Sequence, residues 1–353
     1  MKAAVIGTGV ICEQHLVGLK RVDAARLVAV CDLSPAMASY TADRFGADAT
    51  YTDYQRMLDE AKPDVVHVLT PPPTHLRIVT DCLDAGAHVF VEKPAAPTYG
   101  ELEKLMDASK RTGRALVEDH NYRFNTTVQQ IEKLVEEGEL GTVGEVEVRM
   151  VLGIRGEGGR FADRHLRHPS HDMPAGVIHE FITHLAYLAL MFVPRDTPRD
   201  FDRVSALWSN HGGGDHFRYD DLDATAIVGK THLRIRSSCH TGPDCFVLTV
   251  RGSEGYAETD LFQPFVRVVK PRKGGKQLSP LVNQFANGMT LVNASARNFR
   301  DKIMQRSAYE GLHELVERVY DALRDGRPMP VSLDDMDSTS RLVDALVAGQ
   351  ETV

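Results

Sequence analysis

Residues 2–12 read K-A-A-V-I-G-T-G-V-I-C. An uninterrupted apolar run stops at Gly7, and a stretch with helical spacing begins just past Gly9. This is the order strand, tight turn, helix. The glycines follow G-x-G-x-x-G with Cys12 in the third slot, where a small residue still lets helix and strand pack closely. Gly7 and Gly9 allow a sharp turn and close approach of backbone to a pyrophosphate. The backbone at Val10 and Ile11 opens the helix whose N–H groups would receive that charge. The motif by itself is weak, and its weight depends on the strands after it.

The next apolar run, R-L-V-A-V-C-D, ends in Asp32, an acid placed to accept hydrogen bonds from an adenosine ribose. Leu33 and Ser34 come next and offer no arginine for a 2′-phosphate, which favours NAD over NADP. Three more such runs come later, D-V-V-H-V-L-T, H-V-F-V-E-K-P and R-A-L-V-E-D-H. Helices are expected at about 35–45, 53–61, 75–86 and 98–112. Strands apolar throughout, each followed by a helix, imply a parallel sheet covered on both faces. Ligands of such sheets bind beyond the carboxyl ends of the strands. The third clear strand ends in Thr70-Pro71-Pro72-Pro73-Thr74-His75, a stiffened loop expected to pass the dinucleotide. His75 reads either as a site residue or as a helix start. The fourth ends in Glu92-Lys93-Pro94. A lysine at the tip of a doubly covered strand is out of its usual place. Its ammonium suits a substrate hydroxyl or a carbonyl to be polarised. The fifth leads into the polar group His120, Asn121, Tyr122 and Arg123.

After about residue 120 the rhythm changes. A helix at 126–138 leads into the alternating strand E-V-E-V-R-M-V-L-G-I. Strands are expected at about 203–209, 224–229, 231–239, 245–251, 255–260 and 265–270, and helices at 308–325 and 336–348, which is an α+β domain. Between them lies a loop with Arg155, Arg160, Arg164 and Arg167 and with His165, His168 and His171. It reads as a solvated basic loop or as arginine forks for an anionic substrate group. No metal is assigned to it, because its Gly and Pro break a regular helix and no second ligand cluster accompanies it. Residues 179–184, H-E-F-I-T-H, resemble a zinc-protease signature with one residue too many. Histidines five apart diverge by about 140° on a helix and cannot share an ion. Glu180 and His184 are four apart and share a face. On an apolar helix the two form either a structural hydrogen-bonded pair or a proton-transfer pair.

The chain has 353 residues, natural for two domains. A net charge of −8 argues against a general nucleic-acid binder. Five cysteines without C-x-x-C spacing give neither a zinc knuckle nor a disulfide framework, and fit a reducing cytoplasm. No apolar run approaches the length of a membrane span.

Taken together, G-T-G-V-I-C, Asp32, T-P-P-P-T-H, E-K-P, N-Y-R-F and the helix with Glu180 and His184 resemble the glucose-fructose oxidoreductase / inositol dehydrogenase (Gfo/Idh/MocA) family. The turn Gly141-Thr142-Val143-Gly144, D-D-L-D-A-T at 220–225 and R-G-S-E-G at 251–255 extend the likeness over nearly the whole chain. The resemblance implies an α/β plus α+β protein. Residues 1–120 would be a Rossmann NAD-binding domain. Residues 121–353 would carry a large, open, mostly antiparallel sheet that binds substrate and forms a homodimer or homotetramer, with the last helices packing back on the first domain. It implies hydride transfer between NAD and a secondary alcohol or ketone of a sugar, cyclitol or nucleotide-sugar derivative. Lys93 would be the site lysine, His184 the acid/base, and Glu180 the group that orients it. The expected cofactor-binding residues are Gly7, Gly9, Val10, Ile11, Asp32, Thr70, Pro71, His75, Glu92, Lys93, Asn121 and Arg123. The expected substrate-binding residues are Lys93, His120, Tyr122, Arg155, Arg164, His165, His168, Glu180 and His184. Glu180 stands where the family usually has Asp, and Thr126 where it often has Pro. Two other functions remain open on the sequence: a glycosidase that uses NAD transiently, and a non-catalytic dinucleotide sensor.

Overall fold

The computed structural model describes residues 1–156, 161–163, 168–201, 203–212, 217–272, 275–303 and 309–352. The chain divides into two compact units, Met1–Phe124 with Tyr309–Ser340, and Asn125–Ala308 with Arg341–Val353.

The first unit alternates strand and helix: β1 (Lys2–Ile6), α1 (Cys12–Leu19), β2 (Arg26–Cys31), α2 (Pro35–Phe45), β3 (Ala49–Tyr51), α3 (Tyr54–Ala61), β4 (Val65–Val68), α4 (His75–Asp84), β5 (His88–Val91), α5 (Tyr99–Thr112) and β6 (Leu116–Glu118). The strands form one parallel sheet in the order β3-β2-β1-β4-β5-β6. All of β4, and β1 after its first residue, are buried, as a sheet covered on both faces requires. β3 has only three residues and no sustained apolar run, so the sequence pattern does not show it. The chain reverses its winding between β1 and β4, which makes the ends of those strands the place where ligands of doubly wound sheets bind.

The second unit begins with α6 (Thr126–Glu136) and β7 (Val143–Val151), continues through α7 (Val177–Met191), and then runs β8 (Val204–Ser209), β9 (Asp221–Val228), β10 (Thr231–Ser238), β11 (Cys245–Gly252), β12 (Tyr256–Asp260), β13 (Gln263–Val269) and α8 (Gly275–Ile303). α9 (Glu310–Asp325) belongs to the first unit, α10 (Leu333–Ala348) is shared between the two, and β14 (Gln350–Thr352) ends the second. The eight strands lie in the order β13-β12-β11-β7-β10-β9-β8-β14. Neighbours are antiparallel except for β7 with β10 and β8 with β14. Alternation sets the two faces. Val146, Val148, Leu233, Ile235, Leu222 and Ala224 are buried, while Glu145, Arg234, Arg236 and Asp223 turn outward and pair across strands. α8 is a helix where the sequence showed none. Its apolar residues are diluted by Asn, Ser and Gly, and most of the large ones are exposed. Within the first unit, α9 packs on α1 at Gly18, where a Cβ would stand 3.3 Å from the His313 Cα.

Candidate functional site

The carboxyl ends of β1, β2, β4, β5 and β6 gather the groups singled out in the first unit. At the end of β1, Gly7 has φ +95°, and a Cβ there would lie 2.9 Å from the Leu69 carbonyl. Only glycine fits. Nothing lies within 4 Å of a Cβ built on Gly9, so the turn has an open side. The N-cap position of α1, Ile11, has no side-chain cap, and Val10 beside it is exposed; the Cys12 and Gln14 N–H groups turn back on the Gly9 and Ile11 carbonyls, and no side chain caps the helix start. This open turn and uncapped helix start fit a pyrophosphate. Cys12 is buried, and burial, reinforced by the Asp32 charge, pushes its thiol up to about 12. It fills the third slot as an inert small apolar group.

Asp32 accepts from the Thr8 backbone N–H at 2.8 Å, from Thr8 Oγ1 at 2.7 Å and from the Ser34 N–H at 2.8 Å. Partial burial works against ionisation, but the hydrogen bonds from Ser34 and Thr8 outweigh it and hold the carboxyl below its usual range. Three of about four lone-pair positions are taken, which leaves one for a ribose hydroxyl. His75 starts α4 and is fully buried, with Nε2 at 2.7 Å from the Thr70 carbonyl and Nδ1 at 3.1 Å from the Pro94 carbonyl. It ties together the loops that follow β4 and β5. Thr74 Oγ1 donates to the Pro71 carbonyl at 2.8 Å and lies 2.7 Å from Thr70 Oγ1, which closes the proline turn.

Beneath Glu92 and Lys93 runs a buried polar line that the sequence did not reveal. The Tyr320 hydroxyl lies 3.0 Å from His67 Nε2, His67 Nδ1 lies 3.0 Å from His15 Nδ1, and His15 Nε2 lies 2.9 Å from Glu92 Oε1. With both imidazoles neutral, one assignment satisfies every member: each group donates toward Glu92 and accepts from behind. Burial opposes ionisation of Glu92, but the hydrogen bond from His15 and the nearby Lys93 charge hold its carboxyl below the usual value. Burial and the neighbouring Glu92 push the Asp119 carboxyl well above its own. Glu92 Oε2 also accepts the Lys93 backbone N–H at 3.2 Å. Glu118 binds the Ala95 N–H and His120, which fixes the loop around the lysine from the other side. Arg123 is buried and pairs with Asp335 at 3.2 Å. Tyr122 follows Asn121, whose Oδ1 accepts its N–H. One signal for the line was present in the sequence: His67 stands in the middle of an otherwise apolar strand.

In the second unit α7 carries Glu180 and His184. Glu180 accepts a hydrogen bond from Ser170 Oγ, and His168 lies 3.9 Å from it. His184 Nδ1 is 2.8 Å from the Tyr187 hydroxyl, one turn along the same helix. Tyr187 is a neighbour the sequence reading missed. Its i, i+3 spacing from His184 was the available sign. Arg155 pairs at 2.7 Å with Asp220, which is fully buried. Arg164 and His165 lie outside the described residues.

Among the described residues two groups bring three metal-ligand types together, His15/Glu92/Asp119 and His211/Asp220/His240. Both nitrogens of His15 are engaged by His67 and Glu92, and the Asp220 carboxylate is already balanced by Arg155. Neither is read as a metal centre.

Residues 1–120 match the GFO_IDH_MocA family, described as an oxidoreductase family with an NAD-binding Rossmann fold. That part of the chain is thus similar to the NAD-binding domain of the Gfo/Idh/MocA oxidoreductases. Among curated relatives, 4-carboxy-2-hydroxymuconate-6-semialdehyde dehydrogenase of Sphingobium sp. is 31% identical over 174 residues, 48% of this chain and 55% of that one. D-glucoside 3-dehydrogenase of Escherichia coli is 33% identical over 144 residues, 40% of this chain and 41% of that one. The match thus spans about half the length of these relatives. An oxidoreductase of Agrobacterium radiobacter, solved with NAD+, L-tartaric acid and magnesium, has a TM-score of 0.78 at 16% identity over 99% of this chain and 96% of its own. That likeness shows the fold: a Rossmann sheet plus a second, mostly antiparallel sheet. Among the described residues no helix is long and apolar enough to cross a membrane.

Proposed function

We propose that this chain is a Gfo/Idh/MocA oxidoreductase and transfers hydride between NAD and a secondary alcohol or ketone of a sugar, cyclitol or sugar derivative. The observation that carries the proposal is the run of strand ends in the first unit: an obligatory Gly7, an ionised Asp32, and Lys93 on a loop braced by Glu92 and Glu118. A bound nicotinamide would supply the hydride acceptor or donor. The chain supplies position and proton traffic. Gly7, Gly9 and the first N–H groups of α1 hold the pyrophosphate. Asp32 takes a ribose hydroxyl and repels a 2′-phosphate, which favours NAD. The Lys93 ammonium donates to the reacting oxygen and stabilises alkoxide as it develops. His184 takes the hydroxyl proton during oxidation and returns it during reduction. Glu180, tied to Ser170, serves a neighbouring substrate hydroxyl.

Four free, buried cysteines support a reducing compartment, and with it the cytoplasm. The paired charges on the outer face of the second sheet suit a polar, wet contact between copies, and dimerisation through that face belongs to the same reading.

Lys93→Met tests the proposal. NADH binding, followed by nucleotide fluorescence, should persist, while turnover on polyol or sugar substrates falls roughly 10²-fold or more. Unchanged turnover would remove Lys93 from the reaction. Cleavage of aryl glycosides without net NADH formation would replace the dehydrogenase reading with the glycosidase one.

A further inference from the structure

α8 presents two faces of opposite character. On one, asparagines cover the free edge of β13. Asn287 Oδ1 accepts the Val268 N–H and its Nδ2 donates to the Val268 carbonyl, while Asn283 and Asn298 donate to the carbonyls of Lys270 and Pro264. Each of these amides stands in for a strand that the sheet lacks, and the edge is blunted.

The other face carries Leu278, Val282, Phe285 and Met289, then Val292, Phe299 and Ile303, each between 43% and 73% exposed. With Ala296 in the remaining slot, these eight positions follow steps of four and three without a break. That spacing is the heptad one, in which a seam stays aligned with a partner helix, and the exposed Leu281 and Leu291, at 61% and 47%, widen the apolar face beyond the seam itself. Ala286, Gly288 and Ser295 flank the stripe and leave room for a second helix to approach.

We propose that α8 is a self-association surface and that its partner is α8 of a second copy of this chain. Three observations select that partner. Residues 277–296 contain no Asp, Glu, Lys or Arg, in a chain that is 25% charged. Identical helices therefore meet there without like-charge repulsion, as an interface core requires. A helix made to lie on a membrane needs lysine and arginine along its polar face. Here that stretch has none, and its polar face is spent on β13. The size is also right. With roughly 100 Å² uncovered on each apolar side chain, the stripe approaches the roughly 800 Å² per partner of a standard interface. Self-pairing is isologous, so the pairing is closed and does not propagate into a fibre.

The experiment is the mass of the full chain at micromolar concentration by sedimentation or light scattering. Wild type should have at least twice the 39.1 kDa of one chain. Phe285→Glu with Val292→Glu should halve the wild-type mass, and Thr290→Glu, an exposed position off the stripe, should leave it unchanged. Circular dichroism shows whether the double variant is folded. If it is not, Met289→Cys at the helix midpoint replaces it. A short thiol cross-linker should then join two chains, above the background given by the native cysteines. Wild-type monomer, a folded double variant that keeps the wild-type mass, absence of the cross-link, or a monomer that instead binds anionic vesicles would each overturn the proposal.

Discussion

In the first unit four side chains run in line through the interior, from Tyr320 through His67 and His15 to Glu92, none more than 9% exposed. In the second unit Glu145 sits on the outer face of β7 between Arg234 at 3.1 Å and Arg251 at 3.3 Å, while Arg236 meets Asp223 and Arg267 meets Glu258. Both are polar networks of similar geometry, and they answer to different energetics. The outer pairs exchange water for one another at high dielectric and gain little. The inner line has no water to fall back on, so every donor needs its acceptor and the end of the line has to be a charge. Residues of the inner line are therefore not interchangeable, whereas those of the outer face are.

The sharpest way to break this comparison is His15→Leu. It removes the donor that satisfies buried Glu92 and strands His67 behind it. Urea unfolding should show a loss of roughly 3–5 kcal/mol, the scale for uncovering one buried partner. A loss below about 1 kcal/mol would mean that the inner line obeys the same rule as the outer face.

A smaller effect, and one of opposite sign, is expected at His313. It is buried, and among the described residues neither ring nitrogen has a hydrogen-bond partner. Burial, then the charge of Arg21, press its pKa down to about 4. In the unfolded chain the value returns to 6.5. The unfolded state thus binds the extra proton first as pH falls, and stability declines from about pH 6.5 until the folded form also protonates near pH 4. His67, lowered by burial and by His15, acts in the same sense. His313→Leu should raise stability at pH 7 by about 1 kcal/mol and flatten the slope between those two pH values. A parallel, unchanged slope would assign the acid sensitivity to other groups.

The same contrast explains what the sequence could say. The outer sheet face and the apolar strands of the first unit are periodic, so the segments around β1, β2, β4, β5 and β6 and the strands from β7 to β13 are legible one window at a time. Gly7, Gly9, Asp32 and Lys93 are legible because each punctuates the end of a strand. The inner line is not, because its members come from α1, β4, β5 and α9, and nothing local marks a histidine as half of a pair with another 52 residues away. β3 is too short to carry a period. α8 carries one that a search for core-facing helices passes over, since its apolar side faces away from the core. Arg155 and Arg123 illustrate a different gap. Sequence shows the cation, but only the fold shows the buried Asp220 and the Asp335 that engage them.

The smallest expected effect belongs to Glu145→Ala. The carboxylate serves two arginines on neighbouring strands, yet all three side chains remain partly in water. Each pair contributes about 0.2–1 kcal/mol, and the variant also leaves Arg234 and Arg251 facing each other across β7. In dilute buffer the loss should stay near 1 kcal/mol. In about 1 M salt, where the screening length shrinks to roughly 3 Å, wild type and variant should converge, while the loss caused by His15→Leu persists because salt does not reach it. Convergence of both variants would show that the inner line is hydrated. A Glu145→Ala loss that resists salt would show that water and ions do not reach these pairs, and that a contact between copies on this face is dry rather than wet.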